Sequence, residues 1–185
     1  MRVALLGGSF NPPHVGHLLA ALYVHSTQDV DEVWLMPAYQ HPFGKALTPF
    51  EHRVRMCELV CEEAAGWMKT SRVEQEVSEQ GGAGYTVETL TYLRERYPQL
   101  QFSLIIGSDI VKDLPSWKSF DRIQQMVQVL VLNRAGYPEP GSIGPPLAEV
   151  SSTQIRDMLS RGVRPAELVP RRVLDYAHQM GLYGV

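Results

Sequence analysis

Two histidines, His14 and His17, stand three residues apart directly after Gly7-Gly8-Ser9-Phe10-Asn11-Pro12-Pro13, just as an apolar helical pattern begins. Gly7 and Gly8 let a ligand lie against backbone and tolerate positive φ. Ser9 and Asn11 supply small polar groups, and Pro12-Pro13 stiffen the approach. A helix starting near Val15 adds free N–H groups and the positive end of its dipole, so that both rings can be aimed with them at one anion. That combination suits a cradle for the phosphates of a nucleotide. A plain Gly-Pro turn needs none of it. A His-x-x-His metal pair needs further ligands, and His25, His41, His52 and His178 show no suitable spacing. The segment lacks the Gly-x4-Gly-Lys-Ser/Thr of a P-loop and the Gly-x-Gly-x-x-Gly of dinucleotide folds.

A second polar start lies far along the chain, in Ser151-Ser152-Thr153-Gln154-Ile155-Arg156. Taken locally, Ser151 and Gln154 fit a capping box. Hydroxyls at a helix N-terminus with an Arg one turn in also suit triphosphate oxygens. The only cysteines, Cys57 and Cys61, are i,i+4 in a helical pattern. They make no disulfide framework, and with His52 they lack a fourth metal ligand, so they read as buried or half-buried thiols.

The elements that must position these residues follow from periodicity. Apolar runs predict strands at 2–6, 32–36, 68–73, 101–106 and 127–132. Helices are expected at 15–27, 50–65, 86–97, 119–126, 152–160 and 171–180. The Gly- and Pro-rich stretch 135–146 reads as a loop. Strands alternating with helices, and strands that are nearly continuous apolar runs, predict an α/β, Rossmann-like, doubly wound, mainly parallel sheet with helices on both faces. Ligands then bind beyond the carboxyl ends of the strands, in the loops 7–14, 37–49, 107–118 and 133–150.

Composition agrees with that plan. The chain has 185 residues, 44% hydrophobic and 20% charged, enough for one domain spanning 1–185. A formal net charge of -3 gives no push toward nucleic acid or an anionic membrane. No apolar run approaches the ~18 residues of a membrane span, and the apolar start is too short for a signal peptide. A cytoplasmic protein is expected, and a homo-oligomer stays open.

The stretch from Gly7 to His17 resembles the signature of the nucleotidyltransferase superfamily built on His-x-Gly-His. Ser-Ser-Thr-x-Ile-Arg at 151–156 resembles that superfamily's second signature, especially in nicotinate-nucleotide adenylyltransferases of bacterial type. Gly107-Ser108-Asp109 with Trp117 following, Gly84-Tyr85-Thr86, His52-Arg53-x-x-Met56 and the closing Gly181-Leu182-Tyr183 are similar to segments of the same family. Three departures stand out: Asn11 where Asp is more usual, Gly44-Lys45 in a loop that more often ends Pro-Pro-His-Lys, and Ala135 where Pro is usual.

This likeness implies a nucleotidyltransferase-type domain that moves AMP from ATP to nicotinate mononucleotide, giving deamido-NAD and pyrophosphate, with Mg²⁺ carried by the ATP phosphates. It assigns His14, His17, Lys45 and Arg156 to catalysis. It places Gly7, Gly8, Ser9, Phe10, His17, Gly107, Asp109, Ser151, Ser152, Thr153 and Arg156 about ATP. Asn11, Lys45, Tyr85, Thr86, Trp117 and Arg134 fall about the acceptor, with Trp117 stacked on the pyridine and Asp109 on ribose hydroxyls. No protein metal site and no nucleic-acid or membrane partner is implied. Nicotinamide mononucleotide or phosphopantetheine as acceptor, or a non-catalytic nucleotide sensor on the same fold, are the alternatives.

Overall fold

Val3, Ala4 and Leu5 have no exposed surface on either side of their strand, and Leu6 keeps only 8%. A strand apolar on both faces must be covered on both faces, which is the condition of a central parallel strand. In the computed structural model, which describes residues 1–40 and 47–185, this strand is β1, Arg2–Gly8. Around it run β2 (Glu32–Pro37), β3 (Met68–Thr70), β4 (Gln101–Gly107), β5 (Gln128–Arg134) and β6 (Ile143–Leu147). All pairings are parallel, in the order β3-β2-β1-β4-β5-β6. Strand order reverses between β1 and β4, so a crevice opens at their carboxyl ends, beyond Gly8 and Gly107.

The helices divide between the two faces. Ala4 and Leu6 of β1 point into a core shared with α1 (Val15–Thr27), α2 (Phe50–Cys61), α6 (Ser152–Ser160) and α7 (Arg171–Gln179). Val3 and Leu5 point into a second core with α3 (Val73–Glu79), α4 (Thr86–Arg96) and α5 (Phe120–Met126). This is the doubly wound α/β architecture expected from the alternation of elements. Cys57 is buried and Cys61 half-buried. Burial pushes both thiols up, Cys61 to about 11, and so both stay protonated.

Four expectations need correction. The stretch at 135–146 is not all loop, because Ile143–Leu147 pairs with β5. Pro145 and Pro146 are tolerated there since β6 is the edge strand and needs no donors on its outer side. The strand expected at 68–73 stops at Thr70, and Val73 instead opens α3. The helix expected over 50–65 ends at Cys61. Ser108–Ser116, expected as loop, winds as a 3₁₀ segment before Trp117. No helix among the described residues is long and apolar enough to cross a membrane.

Candidate active site

The chain leaves β1 through Phe10, which is fully buried at a φ of 44°, and reaches the N-terminus of α1 at His14. The two imidazoles stack there with centroids 3.8 Å apart, and Phe10 packs on His17 at 4.7 Å. A Cβ on Gly16 would lie 3.1 Å from Nδ1 of His14 and 3.5 Å from Val150, so the glycine between the histidines is set by room for the ring. The backbone N–H of His14 donates to Nδ1 of His17 at 3.2 Å. An imidazole that accepts at Nδ1 carries its proton on Nε2, which makes His17 a hydrogen-bond donor from its far side.

One amide expected to be free is taken: Val15 N–H donates to the Leu168 carbonyl at 2.9 Å. Gly16 N–H has no acceptor among the described residues, and Gly16 lies on the cavity wall. Burial holds His14 down to about 4, helped by the Arg134 charge. Burial also lowers His17 well below its ordinary value, followed by His14 and Arg134. Both rings are therefore neutral near pH 7, and Nδ1 of His14 is buried without a partner. A bound anion would oppose the Arg134 charge and raise both pKa values.

The crevice is a cavity of about 380 Å³. It brings together Gly7, Gly8, His14, His17, Thr86, Gly107, Asp109, Trp117 and Arg134 from the expected set. On the β4 side, Oδ1 of Asp109 is buried without a hydrogen bond, and Nε of Arg134 stands 3.6 Å from it. Ser108 Oγ accepts from Arg134 N–H and donates to the Tyr137 carbonyl, which fixes the Arg134 backbone. A Cβ on Gly107 would meet Asp109 Oδ1 at 2.2 Å and Arg134 Cδ at 2.7 Å. Gly107 thus keeps open the space that these two side chains fill.

The second signature meets the first without lining the cavity. Ser152 Oγ donates to the Pro12 carbonyl at 3.0 Å, and Arg156 donates to the Asn11 carbonyl at 2.8 Å and to Thr153 Oγ1 at 3.2 Å. Ser151 caps α6 by accepting from Thr153 N–H, in place of the box with Gln154. Asn11 is buried and accepts from the Tyr183 hydroxyl at 3.0 Å, so its side chain serves the C-terminal segment rather than the cavity.

Ser9 and Phe10 also stay off the cavity wall. Tyr85, the N-cap of α4, is exposed under the Lys118 ammonium at 4.2 Å. Lys45 and His41 lie outside the described residues.

Two participants escaped sequence reasoning. Arg53, noted only within a helix motif, is 1% exposed and donates to the Ser9 carbonyl at 2.9 Å and the Thr48 carbonyl at 2.8 Å. It ties the phosphate loop to the loop that follows β2. Glu74 of α3 lines the cavity beside Met36, Ala38 and Gln40. An acidic residue in a short polar helix carries no signal of that placement.

The neutral histidines have a stability consequence. Unfolded, His14 takes a proton below its ordinary 6.5; folded, it resists until about 4. Its contribution is complete above pH 6.5 and is lost as pH falls toward 4. Urea denaturation of the free protein at pH 7 and again near pH 5 should show a fall of about 2 kcal/mol from this ring, since one pKa unit is about 1.4 kcal/mol. In His14→Gln the fall should shrink by that amount.

Comparison with known proteins places this geometry. Residues 5–158 match the cytidylyltransferase-like family model. A Myxococcus xanthus protein named "Probable nicotinate-nucleotide adenylyltransferase" is 64% identical over 185 residues, 100% of this chain and 96% of that protein. A protein of the same name from Anaeromyxobacter sp. is 45% identical over 183 residues, 98% of this chain and 96% of its own. Among solved structures, Plasmodium falciparum nicotinic acid mononucleotide adenylyltransferase complexed with NaAD shares the fold, with a TM-score of 0.82 over 98% of this chain and 97% of that one at 18% identity. With both signatures in order and the second clamped to the loop of the first, the chain belongs to the cytidylyltransferase-like family and, within it, to the nicotinate-nucleotide adenylyltransferases.

Proposed function

We propose that the crevice between β1 and β4 transfers AMP from ATP to nicotinate mononucleotide by positioning and charge stabilisation alone. The carrying observation is a corner of two neutral imidazoles and Gly16 N–H that faces, across one cavity, the orphaned Asp109 oxygen, Arg134 and Trp117. The first group is built of donors for phosphate oxygens. The second offers an acceptor for ribose hydroxyls and an aromatic face for a flat ring.

In this reading a phosphate oxygen of the acceptor attacks the α-phosphorus of ATP, and the bond to the bridging oxygen breaks to release pyrophosphate. The attacking phosphate is already ionised near pH 7, so no general base is required. Nor does the cavity need a nucleophilic side chain. Charge that grows on the bridging and β oxygens meets Nε2–H of His17, while His14 and Gly16 N–H hold the phosphates alongside. Magnesium carried by the ATP phosphates would supply charge shielding there; histidine, arginine and amide donors suit the phosphate oxygens rather than the cation. Lys45 and the uncommitted donors of Arg156 would neutralise the leaving group. Arg156 and Ser152 also clamp α6 to the phosphate loop, so their loss has a positioning component. Arg134, read on the acceptor side, stands beside Asp109 and also bears its charge on His14 and His17.

The sensor alternative has no need of Nε2–H of His17 at the leaving oxygen, because a binder need not stabilise charge that grows only during transfer. Phosphopantetheine offers no ring for Trp117. Nicotinamide mononucleotide shares every group but one, and product analysis by mass with the three acceptors in parallel separates them. Deamido-NAD should form fastest; ATP binding with no pyrophosphate from any acceptor would sink the reading in favour of the sensor.

Three variants report on the separate parts. His17→Ala should lose two or more orders of magnitude in kcat with the fold retained by circular dichroism, since one transition-state donor is worth ~2.7–4 kcal/mol. Gly107→Ala should raise the KM for ATP about tenfold or more by displacing Asp109. Trp117→Ala should raise the KM for the acceptor and leave that for ATP near its normal value.

A further inference from the structure

Of the ionisable groups on the cavity wall, His14, His17, Asp109 and Arg134 have tasks in the reaction; Glu74 has none. Its Oε1 accepts a hydrogen bond of 2.7 Å from the hydroxyl of Thr89, which is itself 1% exposed. Thr86 and Thr89 lie three apart on α4 and so share a helix face. Glu74 therefore sits beside the Gly84–Thr86 wall of the cavity that Trp117 also lines. Its second oxygen, Oε2, has no hydrogen-bond partner among the described residues, on a side chain that lines the cavity.

An ionised carboxyl is the wrong neighbour for a pyridine carboxylate, and a neutral one is a good neighbour. In the acid form Oε1 is the carbonyl oxygen that Thr89 already serves, and Oε2–H is a donor. Resting on the reaction proposed above, we infer that Glu74 reads the acceptor's ring substituent: as a neutral acid it donates from Oε2 to the carboxylate, and the acid acceptor binds with uptake of one proton.

The surroundings favour that form. Burial raises the Glu74 pKa, and the Glu88 charge on α4 adds to it against the opposing hydrogen bond from Thr89. Lys118 offsets part of Glu88 by pairing with it at 2.8 Å. On its own helix Glu76 is engaged with the Tyr92 hydroxyl, and Gln75 with Arg72 and Glu79. The β2 side presents Met36, and Asp109 and Arg134 stand elsewhere on the wall. A bound carboxylate adds a further like charge that pushes the same way.

With the acid acceptor bound, loss of that proton as pH rises removes the donor and brings repulsion, weakening binding by up to about tenfold per pH unit for one proton. Nicotinamide mononucleotide carries no such charge, and its amide N–H can donate to the ionised Glu74. The two acceptors share ribose and phosphate, so the ratio of their kcat/KM values cancels those titrations and that of the histidines.

The test is this ratio, acid over amide, from about pH 6 to 9 for the wild-type protein and for Glu74→Gln. Gln keeps a donor, accepts from Thr89 and does not titrate. The wild-type ratio should fall about tenfold or more across the range, and the Gln ratio should stay flat. A flat wild-type ratio, or superimposable profiles, overturns the role of Glu74 and leaves the reaction intact. Absence of deamido-NAD from the wild-type protein at every pH overturns both. Calorimetry of the wild-type protein in two buffers of different ionisation enthalpy reads the same claim without a variant. Nicotinate mononucleotide should take up about one proton more than nicotinamide mononucleotide near pH 7.5, and equal uptake contradicts the inference.

Discussion

The hydrogen bond from His14 N–H to Nδ1 of His17 is the small constraint on which the site depends. It decides which nitrogen of His17 carries the proton, and so turns an ambiguous ring into a donor aimed at the crevice. It needs His14 and His17 three apart at a helix start, and the stacked rings need Gly16 between them, because any Cβ there would press on the His14 ring. The spacing of the motif thus follows from packing as much as from chemistry. Burial then keeps both rings neutral until an anion beside them raises their affinity for protons.

The rest of the fold holds this corner in place. Arg53 grips the Ser9 carbonyl from α2, and Ser152 and Arg156 grip Pro12 and Asn11 from α6. Tyr183 reaches back from the C-terminal segment to Asn11. Burial raises that phenol to about 12, so it stays a donor through the working pH range. Three distant segments therefore close on one loop, whose own sequence has too few apolar residues beyond Phe10 to hold its shape alone. The opposite wall follows another logic: Gly107 leaves space, Asp109 leaves an oxygen unpaired, and Arg134 is fixed through Ser108. A pocket with unmet acceptors on one side and unmet donors on the other is prepared for a molecule carrying both ribose and phosphate.

Much of this was legible in the residues. β1, β2, β4 and β5 announce themselves because strands covered on both faces are continuous apolar runs. The glycines and histidines before α1 advertise an anion site for reasons of conformation and charge. β6 was hidden because Gly144, Pro145 and Pro146 argue for a loop everywhere except on a sheet edge. α3 was hidden because only Val73 and Val77 of its seven residues are buried, too few for a periodic signal. Glu74 was beyond reach for the same reason, since its place on the cavity wall comes from α3 packing on α4 and from no local pattern. The clamps made by Arg53, Arg156 and Tyr183 likewise exist only once the helices have been folded over the sheet.

The state of the two imidazoles tests this account most directly. Nitrogen-15 NMR of the ring nitrogens, in the free protein near pH 7 and again with saturating pyrophosphate and magnesium, reports protonation and tautomer together. Neutral rings in the free protein, His17 protonated on Nε2 and accepting at Nδ1, and a rise of both pKa values on adding pyrophosphate would bear out a corner prepared for phosphate. Charged rings in the free protein, the opposite His17 tautomer, or pKa values that ignore pyrophosphate would contradict it.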